Sequence, residues 1–214
     1  MQRRKLSMIT QPKPYFITGI GTGIGKTLVS TILIEKFGWD YWKPIQSGDL
    51  ENSDTLSVQT LLSNNTTNFH PETYRLTQPY SPHKSARIDG ITIDLNNFKL
   101  PQTDNQLLIE GAGGLMVPLN EHSLIIDLIQ QLNADVILVS QNYLGSINHT
   151  LLSFEILKKR NIPVKGIIFN GAADPSTEEF ILNYTNTPCL GKIPILEPVN
   201  KESIQSAGKF IIEF

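Results

Sequence analysis

A single cysteine, Cys189, in 214 residues excludes an intrachain disulfide framework and gives no support to a cysteine-held structural metal. Such a chain suits a reducing compartment, and the cytoplasm is the expected location. An excess of charge of one sign is also missing. Lys and Arg number 18 against 20 Asp and Glu, for a formal net charge of -2, and the basic residues are scattered. No electrostatic stripe of the kind nucleic-acid binding requires can be drawn from them, so nucleic acid is not an expected partner. Long apolar runs are absent as well: none reaches the length of a membrane span. The opening Met1 to Pro14, basic at first, lacks the apolar centre of a signal peptide. Neither a membrane nor secretion is therefore expected.

What remains is an ordinary globular composition, with 40% hydrophobic and 18% charged residues, 15 Gly and 13 Pro. The length suffices for one well-buried core. Residues 1–14 read as an N-terminal arm, with no clean period over Gln2 to Gln11 and with Pro12 and Pro14 before the first strand pattern. Residues 15–214 read as one domain.

Short apolar runs then alternate with amphipathic stretches. Strands are expected at Tyr15 to Thr18, Asp40 to Pro44, Gln106 to Glu110, Ala134 to Ser140, Val164 to Asn170 and near Leu190 to Ile193. Helices are expected at Gly25 to Phe37, Asp54 to Leu62, Leu124 to Leu132, Ile147 to Lys159, near Thr177 to Tyr184 and from about Lys201. Asn64 to Asp104 is polar and proline-containing, and reads as loops with short helical or extended pieces. Continuously apolar strands separated by helices imply an α/β fold, a mostly parallel sheet flanked by helices on both faces. Ligands of such sheets bind beyond the carboxyl ends of the strands.

Four motifs fall at those ends. Tyr15 to Thr27 (YFITGIGTGIGKT) runs from a strand through a glycine-rich turn into a helix. Glycines let backbone N–H groups turn inward around phosphate oxygens, and the helix N-terminus adds its dipole. Lys26 then neutralises phosphate charge, and the Thr27 hydroxyl suits magnesium. Five residues separate Gly19 from Gly25, one more than in the standard phosphate loop, and Ile20 stands where that motif has glycine. The second motif is Trp42-Lys-Pro-Ile-Gln-Ser-Gly48 with Asn52-Ser-Asp-Thr55, offering a cation at Lys43, a hydroxyl at Ser47 and a hard oxygen at Asp54. Taken alone, Lys43 reads sooner as a surface charge and Asp54 sooner as a helix-cap or first-turn acid. The third, Leu107-Leu-Ile-Glu-Gly-Ala-Gly-Gly114, delivers Glu110 to a strand end, where a P-loop enzyme keeps its second acidic metal partner. The fourth pairs Asn170-Gly171, an amide suited to a purine edge or simply a turn, with Gly191 to Leu196. His83 and His149 lack metal-ligand spacing.

In this order the set resembles dethiobiotin synthetase, a family of the P-loop NTPase superfamily. The quoted elements are the five-spacer glycine loop, Lys43 to Gly48, Asn52-Ser-Asp54, Ser81-Pro-His83, Glu110 to Gly114, Leu144-Gly-Ser-Ile-Asn-His149 and Asn170. The resemblance spans roughly Tyr15 to the C-terminus. It implies an ATP-dependent ligase of biotin biosynthesis that closes 7,8-diaminononanoate and carbon dioxide to dethiobiotin through a carbamate and its mixed anhydride with phosphate. It further implies Lys26 and Lys43 as catalytic cations, and magnesium (Mg2+) held by Thr27, Asp54 and Glu110. ATP contacts would come from Gly23, Ile24, Gly25, Lys26, Thr27, Leu28, Asp54, Glu110, Gly111, Ala112 and Gly113, and on the base side from Asn170, Gly171, Pro194, Ile195 and Leu196. Thr22 and Ser47 would hold the carbamate or diamine, and Leu144, Gly145 and Asn148 would complete the site across a homodimer interface. Gly23 departs from the acidic residue some members carry there.

Two other readings share the phosphate machinery. A cobyrinate-type P-loop ligase usually adds a glutaminase domain with a nucleophilic cysteine, for which this chain offers only Cys189. A partitioning-type ATPase switch usually has a further lysine early in the loop, where this chain has Ile20, Gly21 and Thr22, and Lys201 to Phe214 is too poor in cations for a membrane-targeting helix.

Overall fold

The computed structural model describes residues 12–214; the expected arm over Gln2 to Gln11 lies outside the described residues. From Tyr15 onward the elements are β1 (Tyr15–Gly19), α1 (Lys26–Phe37), β2 (Asp40–Trp42), β3 (Ile45–Ser47), α2 (Asp54–Leu61), β4 (Phe69–His70), β5 (Tyr74–Leu76) and α3 (Pro82–Ile88). They continue with β6 (Leu107–Gly114), α4 (Ile125–Gln131), β7 (Asp135–Ser140), α5 (Ser146–Lys159), β8 (Val164–Asn170), α6 (Pro175–Thr185), β9 (Cys189–Ile193) and α7 (Lys201–Ala207). Seven strands form one sheet in the order β4-β2-β6-β1-β7-β8-β9, every pair parallel, and β3 pairs with β5 in a separate ribbon. This is the expected α/β architecture.

The strands are apolar on both faces because both are covered. Phe16, Leu107, Ile109, Val136, Leu138 and Phe169 point to one side, against Ile126 and Ile129 of α4, Leu157 of α5 and Ile181 of α6. Their neighbours Ile17, Leu108, Ile137, Val139 and Ile168 point to the other, against Val29 and Leu33 of α1, Val58 of α2 and Ile204 of α7. Alternation with period two thus splits the buried residues into two layers, as the pleat requires.

Three boundaries differ from expectation by more than one residue, each for a local reason. The second strand stops at Trp42: Pro44 has no N–H for the ladder, and its carbonyl instead accepts from Thr73 and Tyr74. That break frees Lys43 from the sheet's regular pairing and starts β3. The helix expected from Thr177 starts at Pro175, whose fixed φ suits a first helical position, with Asp174 accepting from the Thr177 N–H at 3.1 Å. Strand β6 runs four residues past Glu110, where Gly114 lies beside Gly19 after an irregularity in register. Within 64–104 the short pieces are β4, β5, α3 and a 3₁₀ turn at Leu95–Asn97.

Candidate active site

The chain leaves β1 toward β2 on one side of the sheet and later returns to β7 on the other, so β1 lies at the point where the strand order reverses. The crevice beyond its carboxyl end is where a ligand site belongs in such a fold. Out of it rises the turn Gly19–Gly25. Gly25 precedes α1 at φ 87, a left-handed conformation, and a Cβ there would lie 2.2 Å from Asn170 Nδ2. Asn170, at the end of β8, donates that same amide to the Ile24 carbonyl at 2.9 Å, so β8 braces the loop. Lys26 is nine-tenths buried and its ammonium donates back across the turn to the Gly21 carbonyl at 3.2 Å. Burial pushes the Lys26 pKa below the usual lysine value, against the pull of Glu110.

Thr27, Lys43, Asp54 and Glu110 converge beside this turn. Lys43 Nζ lies 2.5 Å from Asp54 Oδ2 and 3.2 Å from Glu110 Oε1, and donates to the Gly111 carbonyl at 3.1 Å. The Thr27 hydroxyl sits 3.1 Å from Asp54 Oδ1 and 2.8 Å from Glu110 Oε1, one proton for two acceptors. The remaining Glu110 oxygen, Oε2, accepts from the buried Tyr41 hydroxyl at 3.0 Å. Gln46 Oε1 accepts from the Asp54 N–H at 3.2 Å, fixing the start of α2, where Ser53 is the N-cap. Burial alone would lower the Lys43 pKa. The adjacent Glu110 and Asp54 carboxylates outweigh it and hold the pKa above the usual lysine value. Burial likewise opposes the Asp54 charge, but Lys43 outweighs it and Asp54 stays below the usual carboxylate value. Lys43 is therefore neither a surface charge nor neutral: it is a buried ammonium with two carboxylate partners.

These groups line a cavity of about 640 Å³. Lys26 and Thr27 line it, as does a wall from Pro79 to Pro82. The wall is close because Gly48, at φ 70, packs where a Cβ would lie 2.6 Å from Pro79. Ser47 and Thr22 also face this space, and the Ser47 hydroxyl is buried with no protein partner, a group that calls for a ligand or water. Gly23, Gly25, Ala112 and Gly113 complete the lining that the sequence assigned to nucleotide; Gly113 needs its left-handed φ of 69. Thr27, Asp54 and Glu110 together offer hard oxygens on one side of a phosphate-sized turn, a donor set that fits a small divalent cation completed by phosphate and water. No group of three or more His, Cys, Asp or Glu suited to a metal occurs among the described residues.

Other expected site residues lie apart from this cavity. The N–H of Gly171 donates to the Ile193 carbonyl at 2.8 Å, which brings the ends of β8 and β9 together; Pro194 and Ile195 beyond them are exposed and Leu196 is half-buried. Leu144, Gly145 and Asn148, at the start of α5, are exposed and outside the cavity within one chain. A second cavity, about 600 Å³, is lined by Gly19 to Thr22 and by His149 and Leu152 of α5, and shares Thr22 and Val117 with the first. Ser81 and Pro82 of the quoted Ser-Pro-His motif do line the main cavity, while His83 is occupied by Ser81 at 3.0 Å. Sequence reasoning missed Tyr41, Gln46 and the wall at Pro79 and Tyr80. The only available signal for Tyr41 was its place two residues before Lys43, hence on the same strand face, and a core aromatic gives the same pattern.

The AAA domain family profile matches residues 13–203. The ATP-dependent dethiobiotin synthetase BioD of Christiangramia forsetii is 53% identical over 191 residues, 89% of each chain. That of Cytophaga hutchinsonii is 50% identical over 90% of this chain and 93% of its own. Among solved structures, a ParA family ATPase from Chlorobium tepidum TLS aligns with a TM-score of 0.53 at 14% identity, covering 92% of this chain and 91% of that one. The septum site-determining protein MinD from Pyrococcus horikoshii OT3 aligns with a TM-score of 0.54 at 14% identity, over 91% and 86%. At such identity these two share the fold alone, whereas the first two share half their residues over nearly their whole length. With the glycine-rich turn, both lysines and both carboxylates gathered in one cavity, the chain belongs to the ATP-dependent dethiobiotin synthetase family.

Proposed function

We propose that this chain closes 7,8-diaminononanoate with carbon dioxide and ATP to dethiobiotin, ADP and phosphate, in the biosynthesis of biotin. The observation that carries the reading is the convergence of two lysines, Lys26 and Lys43, on one cavity that Ser47 also lines. One amine of the substrate captures carbon dioxide as a carbamate, itself a poor electrophile. A carbamate oxygen then attacks the γ-phosphorus of ATP and ADP departs. The second amine attacks the carbamate carbon and the carbon–oxygen bond to phosphate breaks. Phosphate leaves with the bridging oxygen while the amine gives up its proton.

The protein's part is positioning and charge stabilisation. The turn Gly19–Gly25 and the N-terminus of α1 cradle the phosphates, and Lys26 swings from the Gly21 carbonyl to them. Lys43 stabilises negative charge between carbamate and γ-phosphate. Ser47 and Thr22 bind the carbamate or an amine. Mg2+ held by Thr27, Asp54 and Glu110 would neutralise phosphate charge as it develops. Asn170, Gly171, Pro194, Ile195 and Leu196 would hold the base. Residues 15–214 act as one domain, and a homodimer would bring the exposed Leu144, Gly145 and Asn148 of one subunit to the other's substrate.

The order of bond making predicts the fate of one atom. With ¹⁸O-labelled bicarbonate, the released phosphate should carry one ¹⁸O, because the bridging oxygen of the anhydride comes from carbon dioxide. Phosphate without label, formed alongside dethiobiotin, would refute the mixed anhydride.

A further inference from the structure

Glu110 is 1% exposed, so each of its oxygens must find a partner inside the protein. Its two oxygens are treated differently. Oε1 meets two groups from residues that line the cavity, the Thr27 hydroxyl at 2.8 Å and the Lys43 ammonium at 3.2 Å. Oε2 meets one group from outside that lining, the Tyr41 hydroxyl at 3.0 Å. Tyr41 is fully buried on β2, and its ring packs on Phe69 with centroids 5.8 Å apart. In the parallel pairing of β2 with β6, Tyr41 stands opposite Leu108, so Glu110 is two residues further along on the same face. A tyrosine is long enough to lean forward over that gap. Phenylalanine would pack equally well and reach nothing.

We infer that Tyr41 is a positioning residue for magnesium: its hydroxyl pins Glu110 Oε2 so that Oε1 stays turned toward Thr27 and the metal. Lys43 and a divalent cation compete for the same carboxylate oxygens. Without the Tyr41 hydroxyl, Glu110 is free to rotate and give both oxygens to the Lys43 ammonium, and the unpaired Oε2 has every reason to do so. The carboxylate would then have to be pulled from a stronger ion pair before it could face a metal. Partners that orient metal ligands in this way are worth roughly 10-fold to 100-fold in metal affinity. Tyr41 does not line the cavity, so it acts on the site through Glu110. The inference rests on the proposed assignment of magnesium to Thr27, Asp54 and Glu110.

The test is the magnesium dependence of nucleotide binding, followed by calorimetry with a non-hydrolysable ATP analogue in the unmodified protein and in Tyr41→Phe. The magnesium midpoint should rise by roughly 10-fold or more in Tyr41→Phe, with analogue affinity in excess chelator unchanged. A midpoint shifted by less than about twofold, in a protein of unaltered melting temperature, would overturn the inference. Should Tyr41→Phe prove unstable, the comparison is repeated in a Glu110→Gln background. There Tyr41→Phe should add no further shift, because Tyr41 acts only through the Glu110 carboxylate; an added shift as large as in the parent refutes that route. Failure of the underlying assignment looks different: nucleotide binding by the unmodified protein would itself be indifferent to magnesium.

Discussion

Replacing Lys43 by methionine keeps most of the side-chain volume and removes the charge between Asp54 and Glu110. Both carboxylates then remain, with Glu110 buried and only the Thr27 hydroxyl and Tyr41 left to serve it. Removing one member of a fully buried ion pair costs about 3–5 kcal/mol, because the surviving charge is left uncompensated. The Asp54 side chain is 35% exposed and water relieves part of its charge, which places the expectation at the lower end, about 3 kcal/mol. For a chain of this length that corresponds to a fall in melting temperature of roughly 6–12 °C. The assay is thermal denaturation at neutral pH without nucleotide or metal. The reasoning makes a second demand: Lys43→Met with Glu110→Gln should melt higher than Lys43→Met alone, since the lone buried charge is gone. A single variant melting within about 2 °C of the parent, or a double variant no better than the single, would refute the account of Lys43 as a buried ammonium held by two carboxylates.

Gly25→Ala should cost about 1–2 kcal/mol for the left-handed backbone and about 1 more as Asn170 gives up the Ile24 carbonyl. ATP affinity should fall at least about tenfold, the factor that 1.4 kcal/mol represents. Gly23→Ala, with φ 75 and open space around its Cβ, bears the backbone cost alone, so nucleotide titration of the pair should rank Gly25→Ala as the worse. The Asp54 and Lys43 shifts have opposite pH signatures. Asp54 has a folded pKa below its ordinary 3.8, since Lys43 outweighs the effect of burial. Its contribution to stability is present above 3.8 and is lost as pH falls through the lowered value. Asp54→Asn should therefore flatten the acid limb of the stability curve below about pH 4. Lys43 has a folded pKa above 10.5, its carboxylate partners outweighing burial, so its contribution is full below 10.5 and vanishes as pH rises past the folded value. Melting curves of Lys43→Met and the parent should converge there.

The alternating sheet, the glycine-rich turn and the placement of Glu110 on β6 were legible because each rests on short-range pattern: period two in the strands, glycines at fixed offsets, an apolar run leading to Glu110. The resemblance then named the family. What was not legible depends on neighbours distant in sequence. Whether Lys43 is a surface charge or a buried ammonium is decided by Glu110, 67 positions away. The partnership of Tyr41 with Glu110 needs the register of β2 on β6, which one sequence does not fix. The break of the second strand was readable in principle, since Pro44 sits inside the apolar run, and its consequence was larger than a shorter strand. It takes Lys43 out of the sheet and lets β3 carry Ser47 to the cavity. The wall from Pro79 to Pro82 fell in a region without periodicity, held by single hydrogen bonds such as Ser85 Oγ to the Gln78 carbonyl at 2.7 Å, and such contacts leave no pattern.

The most direct test of the central claim is phosphate release by the purified protein with ATP, magnesium and bicarbonate, with and without 7,8-diaminononanoate, while dethiobiotin is followed by mass spectrometry. The account predicts release that depends on the diamine and matches dethiobiotin mole for mole. Folded, nucleotide-binding protein that forms no dethiobiotin, or releases phosphate equally without the diamine, would contradict it.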